Sequence, residues 1–77
     1  MRQFTDYQGR DWQVTVGKAS YGALCLLFCA SDGADWRRTW LAAETAFEAE
    51  GELARCTETD LQAHLESGDC WNPATGN

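Results

Sequence analysis

The 77-residue chain predicts an α+β fold. A small antiparallel sheet of about four strands, arranged as a meander, is expected to pack against one or two C-terminal helices. Three observations lead there. Alternating apolar and polar residues, punctuated by glycine turns, fill roughly the first forty positions. From Ala42 onward the composition changes to the helix formers Ala, Glu and Leu. Strands come before helices rather than alternating with them, which favours an antiparallel sheet. Residues 1–71 form a single domain in this reading, and residues 72–77 a loose tail.

The first strand is expected over Phe4–Tyr7. A turn at Gln8-Gly9-Arg10 follows, where Gly9 supplies the positive φ that a tight turn requires. In the second strand Trp12, Val14 and Val16 alternate with Asp11, Gln13 and Thr15, and the strand is expected to end near Val16. Ala23 to Ala30 is apolar throughout, and its length together with Gly22 and Asp32-Gly33 on its flanks favours a strand with both faces covered. After turn chemistry at residues 31–35, a fourth strand from Trp36 to Leu41 places Trp36, Arg38 and Trp40 on one face and Arg37, Thr39 and Leu41 on the other.

The first helical segment begins after Ala42, with Ala43, Ala46, Phe47, Leu53 and Ala54 near one stripe. Glu50 intrudes on that stripe, Gly51 weakens the helix by about 1 kcal/mol relative to Ala, and like charges repel at i, i+4. A short helix, one broken at Gly51, or one formed only against a partner all fit this pattern. The second helix is better marked. Thr57 to Asp60 form a cap, Leu61, His64 and Leu65 face inward, and Gly68 ends it. Trp71 is expected to fold back onto a core of Trp12, Val14, Leu24, Leu26, Phe28, Trp40, Phe47, Leu61 and Leu65.

The run Phe4-x-Asp6-x-x-Gly9-Arg10-x-Trp12, the apolar strand, Arg37-Arg38 and Thr57-x-x-Asp60-Leu61 together resemble small bacterial proteins with a short antiparallel sheet followed by a C-terminal helix. The resemblance implies the fold class and carries no activity with it.

Charge narrows the function. Six Lys and Arg stand against 12 Asp and Glu, a net charge of −6, which argues against direct binding to nucleic acid or an anionic membrane. A basic protein partner is the natural complement. Of the cations only Arg55 lies beyond residue 40, whereas eight acids do. The contacts are therefore expected at Glu44, Glu48, Glu52, Glu58 and Asp60, joined by Trp36 and Arg38 from the basic and aromatic run at 36–40. Such an acidic surface suits an inhibitor or a mimic of nucleic acid. Structurally, the tryptophans are expected to pack under the helices and the arginines to pair with the acids of the second half. A homodimer covering the second sheet face is also compatible with so thin a core. The polar N-terminus and the eight-residue length of the apolar run give no membrane segment, so a cytoplasmic location is expected.

No catalytic residue and no cofactor are expected. Zinc or thiol chemistry at Cys25, Cys29, Cys56, His64 and Cys70 is the alternative. In a strand, however, Cys25 and Cys29 share a face about 13 Å apart at ~3.3 Å per residue, too far for one ion. Cys56 sits beside Arg55 but also among Glu52, Glu58 and Asp60, whose charge opposes a thiolate.

Overall fold

A computed structural model describes residues 2–19 and 21–70. Five strands, Arg2–Thr5 (β1), Asp11–Lys18 (β2), Leu24–Ala30 (β3), Trp36–Trp40 (β4) and Asp69–Cys70 (β5), form one antiparallel sheet in chain order. Two helices, Ala46–Arg55 (α1) and Glu58–Ser67 (α2), lie between β4 and β5 in sequence and pack on one sheet face. The α+β meander with C-terminal helices is therefore present, with β5 as an added edge strand. The expected tail and Trp71 lie outside the described residues.

The first hairpin is displaced from its expected bounds. β1 starts at Arg2 and ends at Thr5, because Asp6 already belongs to the turn. Its backbone N–H donates to Arg10 O and its carbonyl accepts from Gly9 N–H. Gly9 has φ 81°, the left-handed conformation the turn requires. β2 runs two residues past Val16, since Gly17 and Lys18 keep pairing with Cys25 and Leu24.

Register divides the side chains between two faces. Phe4, Trp12, Val14, Leu26, Phe28 and Ala30 face the helices and pack with Leu53, Cys56 and Leu61. The rings of Phe4 and Trp12 both meet Phe28 edge-on, at 6.4 Å. Thr39 also faces the helices, and its hydroxyl donates to His64 O at the end of α2.

The opposite face carries Cys25, Leu27 and Cys29 from β3 and Trp36, Arg38 and Trp40 from β4. Both helices pack on one face of β3; on the other, Cys25 is buried and Leu27 and Cys29 are half-buried. Trp36 and Trp40 do not pack under the helices. Trp40 is 40% exposed and lies outside the core to which the sequence reading assigned it.

α1 is continuous through Gly51. Thr45 caps it, accepting from Glu48 N–H, and its buried stripe is Ala49 and Leu53, continued by Cys56. Phe47 is 88% exposed, contrary to expectation. At about 100° per residue it stands on the side of the helix away from Ala49 and Leu53. α2 has a complete capping box between Thr57 and Asp60 and buries Leu61 fully. Gly68 ends it in extended rather than left-handed backbone. Its role is close approach, since a Cβ there would lie 2.8 Å from Thr39 Oγ1 and 3.1 Å from Arg38 O.

Candidate functional site

The residues expected to bind a partner fall on opposite sides of the sheet. Glu48, Glu52, Glu58 and Asp60 belong to the helices and Glu44 to the segment just before α1, whereas Trp36 and Arg38 stand on the sheet face away from the helices. They do not form one surface.

Within the helical layer, four of the five acids are exposed and Glu52 is half-buried. Two of them serve the helices. Glu48 N–H donates to the Thr45 hydroxyl, and Asp60 accepts from Thr57 N–H at 3.0 Å. The backbone and side-chain hydrogen bonds from Thr57 hold the Asp60 carboxyl below its ordinary pKa, with a smaller contribution from His64. Glu52 and Asp60 line a groove of about 290 Å³ with Arg55, Cys56, Ala63 and His64. Glu58 opens instead onto a separate cleft of about 290 Å³ beside Asp11 and the β1–β2 hairpin.

None of the five acids makes an ion pair among the described residues. Arg10 and Arg37 pair within the first half and Arg38 makes no ion pair among the described residues, which corrects the expectation that the arginines neutralise the second half. Asp35 accepts from Arg10 at 3.1 Å and from Arg37 at 3.2 Å, and Asp32 lies 3.7 Å from Arg10. Arg10, Asp35 and Arg37 border a cleft of about 400 Å³ where the two hairpin turns meet α2. Gln62, 7% exposed, lies at its inner side and accepts from Tyr7 N–H. The sequence reading missed this network, although a signal was present. A meander sets its first and third turns at the same end of the sheet, so Arg10 in one and Asp32 and Asp35 in the other had to be neighbours.

On the sheet face away from the helices, the Arg38 guanidinium carbon sits 4.6 Å from the Trp40 ring centroid, and the Tyr21 ring lies 6.1 Å from that of Trp40. Leu27 packs close to Gly17, where a Cβ would come within 2.6 Å of Leu27 Cδ1.

The candidate zinc ligands do not converge. Cys25 and Cys29 face away from the helices, Cys56 belongs to the core, His64 lines the helical groove, and Cys70 lies on the edge strand. Among the described residues no three of His, Cys, Asp and Glu cluster as metal ligands. All four cysteines are free thiols. Burial pushes the Cys56 thiol pKa up, and Asp60 and Glu52 push it further against the opposing Arg2 and Arg55. No helix among the described residues is long and apolar enough to cross a membrane.

Comparison with known protein families, curated proteins and solved structures finds no match.

Proposed function

We propose that the chain is a non-catalytic, cytoplasmic protein-binding module whose helical layer engages a basic partner surface. The observation that carries this reading is the distribution of ion pairs. Arg10 and Arg37 are neutralised by Asp32 and Asp35, while Glu44, Glu48, Glu52, Glu58 and Asp60 find no cation among the described residues. Unpaired carboxylates on a surface attract a cationic partner over about a Debye length, ~10 Å at 0.1 M salt, and steer its approach. The Glu48 carboxylate accepts from the Thr45 hydroxyl at 3.4 Å and that of Asp60 from Thr57 N–H, so the freest contributors are Glu44, Glu52 and Glu58.

The groove between the helices gives the reading a geometric focus. Glu52 and Asp60 both line it, so a Lys or Arg side chain entering there finds carboxylates in the groove wall. The Thr57 hydrogen bonds keep Asp60 ionised to lower pH than a free aspartate.

Titration calorimetry with a blocked peptide of alternating Arg and Ala residues tests this. Binding should weaken as salt rises, and the triple variant Glu44→Gln, Glu52→Gln, Glu58→Gln should lose at least about tenfold in affinity. Unchanged affinity in the triple variant would remove the helical acids from the site.

A further inference from the structure

We propose that Phe47 is the apolar anchor of the acidic site, and that the partner is a cationic helix whose Lys or Arg residues surround a pair of apolar side chains on one face. This rests on the reading of the acids as a site for a basic partner and supplies the apolar half of that contact.

Phe47 is the most exposed large apolar side chain among the described residues, at 88%. Its ring makes no aromatic contact among them. The stripe of α1 that packs on the sheet is Ala49 and Leu53, which at about 100° per residue lie roughly 160° and 120° away from Phe47 around the helix. Turning the ring into the core would therefore turn those two residues out of it. The fold makes no use of this ring, and only a partner can withdraw it from water.

One exposed aromatic is ordinary by itself, and the charges around Phe47 are what distinguish it. Glu50 stands about 60° to one side of it on the helix and Glu48 about 100° to the other, while Glu44 lies just ahead of the Thr45 cap. All three are exposed, and none makes an ion pair among the described residues. A ring that excludes water from a contact strengthens the ion pairs formed at its rim.

Charge selects the occupant. A second copy docked ring to ring would bring Glu48 and Glu50 of both molecules together, on chains of net charge −6 each. Nucleic acid and anionic lipid meet the same carboxylates. A cationic partner turns those groups from repulsion into attraction. Its shape follows from α1, where Gly51 and Ala54 succeed Phe47 at i+4 and i+7 on the outward side. Beyond the ring the helix stays low, so a second rod can lie along it with the ring between two of its side chains. Arg55 Nη1 lies 3.3 Å from where a Gly51 Cβ would stand, which places the partner's cations at the Phe47 end.

The test is calorimetric titration of the intact protein with two blocked eleven-residue peptides of Lys, Ala and two Leu, identical in composition and charge. One carries Leu at i and i+4, on one helix face, and the other at i and i+2, on opposite faces. The first should bind at least about tenfold more tightly. Phe47→Ser should bring the two within about twofold of each other, and Phe47→Leu should retain part of the preference. Comparison of the two isomers on the native sequence decides the matter even if a variant fails to fold. Equal affinity for the isomers overturns the proposal, as does a preference that survives Phe47→Ser. Self-association in sedimentation that Phe47→Ser abolishes makes a second copy the occupant and overturns it too. The alternating Arg and Ala peptide, which has no large apolar side chain, separates the two readings. If it binds through the acids while the Leu isomers tie, the anchor falls and the acidic site stands; if neither it nor the Leu peptides bind, both fall.

Discussion

The indole N–H of Trp12 donates to the Asp6 carboxylate at 2.9 Å, and the other carboxylate oxygen accepts from the backbone N–H groups of Gln8 and Arg10. One side chain thus ties a core aromatic to the turn that starts the sheet. Partial desolvation pushes the Asp6 pKa up, but the Trp12, Arg10 and Gln8 hydrogen bonds and the Arg10 charge outweigh it, and the pKa is lowered. Asp6→Ala leaves a buried indole N–H unpaired and should cost about 1–3 kcal/mol. That is read as a fall in thermal midpoint of roughly 4–8 °C per kcal/mol. The pH dependence has a defined sign. A carboxyl more acidic when folded contributes stability above the ordinary carboxylate range and loses it as pH falls through the folded value. Asp60 acts in the same direction. Melting curves of Asp6→Asn should therefore fall less steeply on the acid side than those of the native sequence.

Gly51 lies in the middle of an unbroken helix, and a Cβ there would meet only the Arg55 Nη1 atom, at 3.3 Å. That atom is the far end of a flexible side chain. Gly51→Ala should stabilise the protein by about 0.4–1 kcal/mol, measured by urea denaturation. A loss of stability instead would mean that the helix needs a break at this position.

The sequence makes the alternating strands, the Thr57–Asp60 cap and the Gly9 turn readable because each rests on local rules: a period of two, a side chain reaching its own backbone, a positive φ. What it conceals depends on which side of an element meets its neighbour. Phe47 looks like core by hydropathy, yet the face of α1 that packs is fixed by Ala49 and Leu53. Trp40 looks like core by size, yet register with Cys25 sends it to the sheet face away from the helices. The expected binding residues were found singly, but their separation onto two surfaces depends on the same parity of β4. β5, two residues long, has no periodicity to reveal it.

The assignment of α1 faces leads to a paired prediction. Phe47→Ser should change stability by no more than about 0.5 kcal/mol, because the ring is already in water. Leu53→Ala, at a side chain 4% exposed, should cost about 2–5 kcal/mol. Chemical denaturation of the two variants checks this. A larger loss at Phe47 than at Leu53 would require the helix to be rotated by about half a turn.

Gly17 and Leu27 are complementary across β2 and β3. Gly17→Ala drives a Cβ to within 2.6 Å of Leu27 Cδ1 and 3.2 Å of Cys25 Sγ, and should destabilise by about 1–3 kcal/mol. In a Leu27→Ala background the same change should be nearly neutral, giving a coupling energy of about 0.5–3 kcal/mol in a double-mutant cycle. Additivity would mean that Leu27 does not lie over Gly17.

The four thiols differ in what they present to solvent, and that should order their reactivity. Cys25 and Cys56 are buried, and burial raises the pKa of both. Cys29 is half-buried and raised by burial and by Asp32. Cys70 alone is exposed, and Arg37 Nη1 donates to its sulfur at 2.7 Å. Brief treatment with iodoacetamide should therefore add one carbamidomethyl group to the native protein, and peptide mapping should place it at Cys70. Cys70→Ser should abolish the fast adduct, and urea should open all four sites to modification.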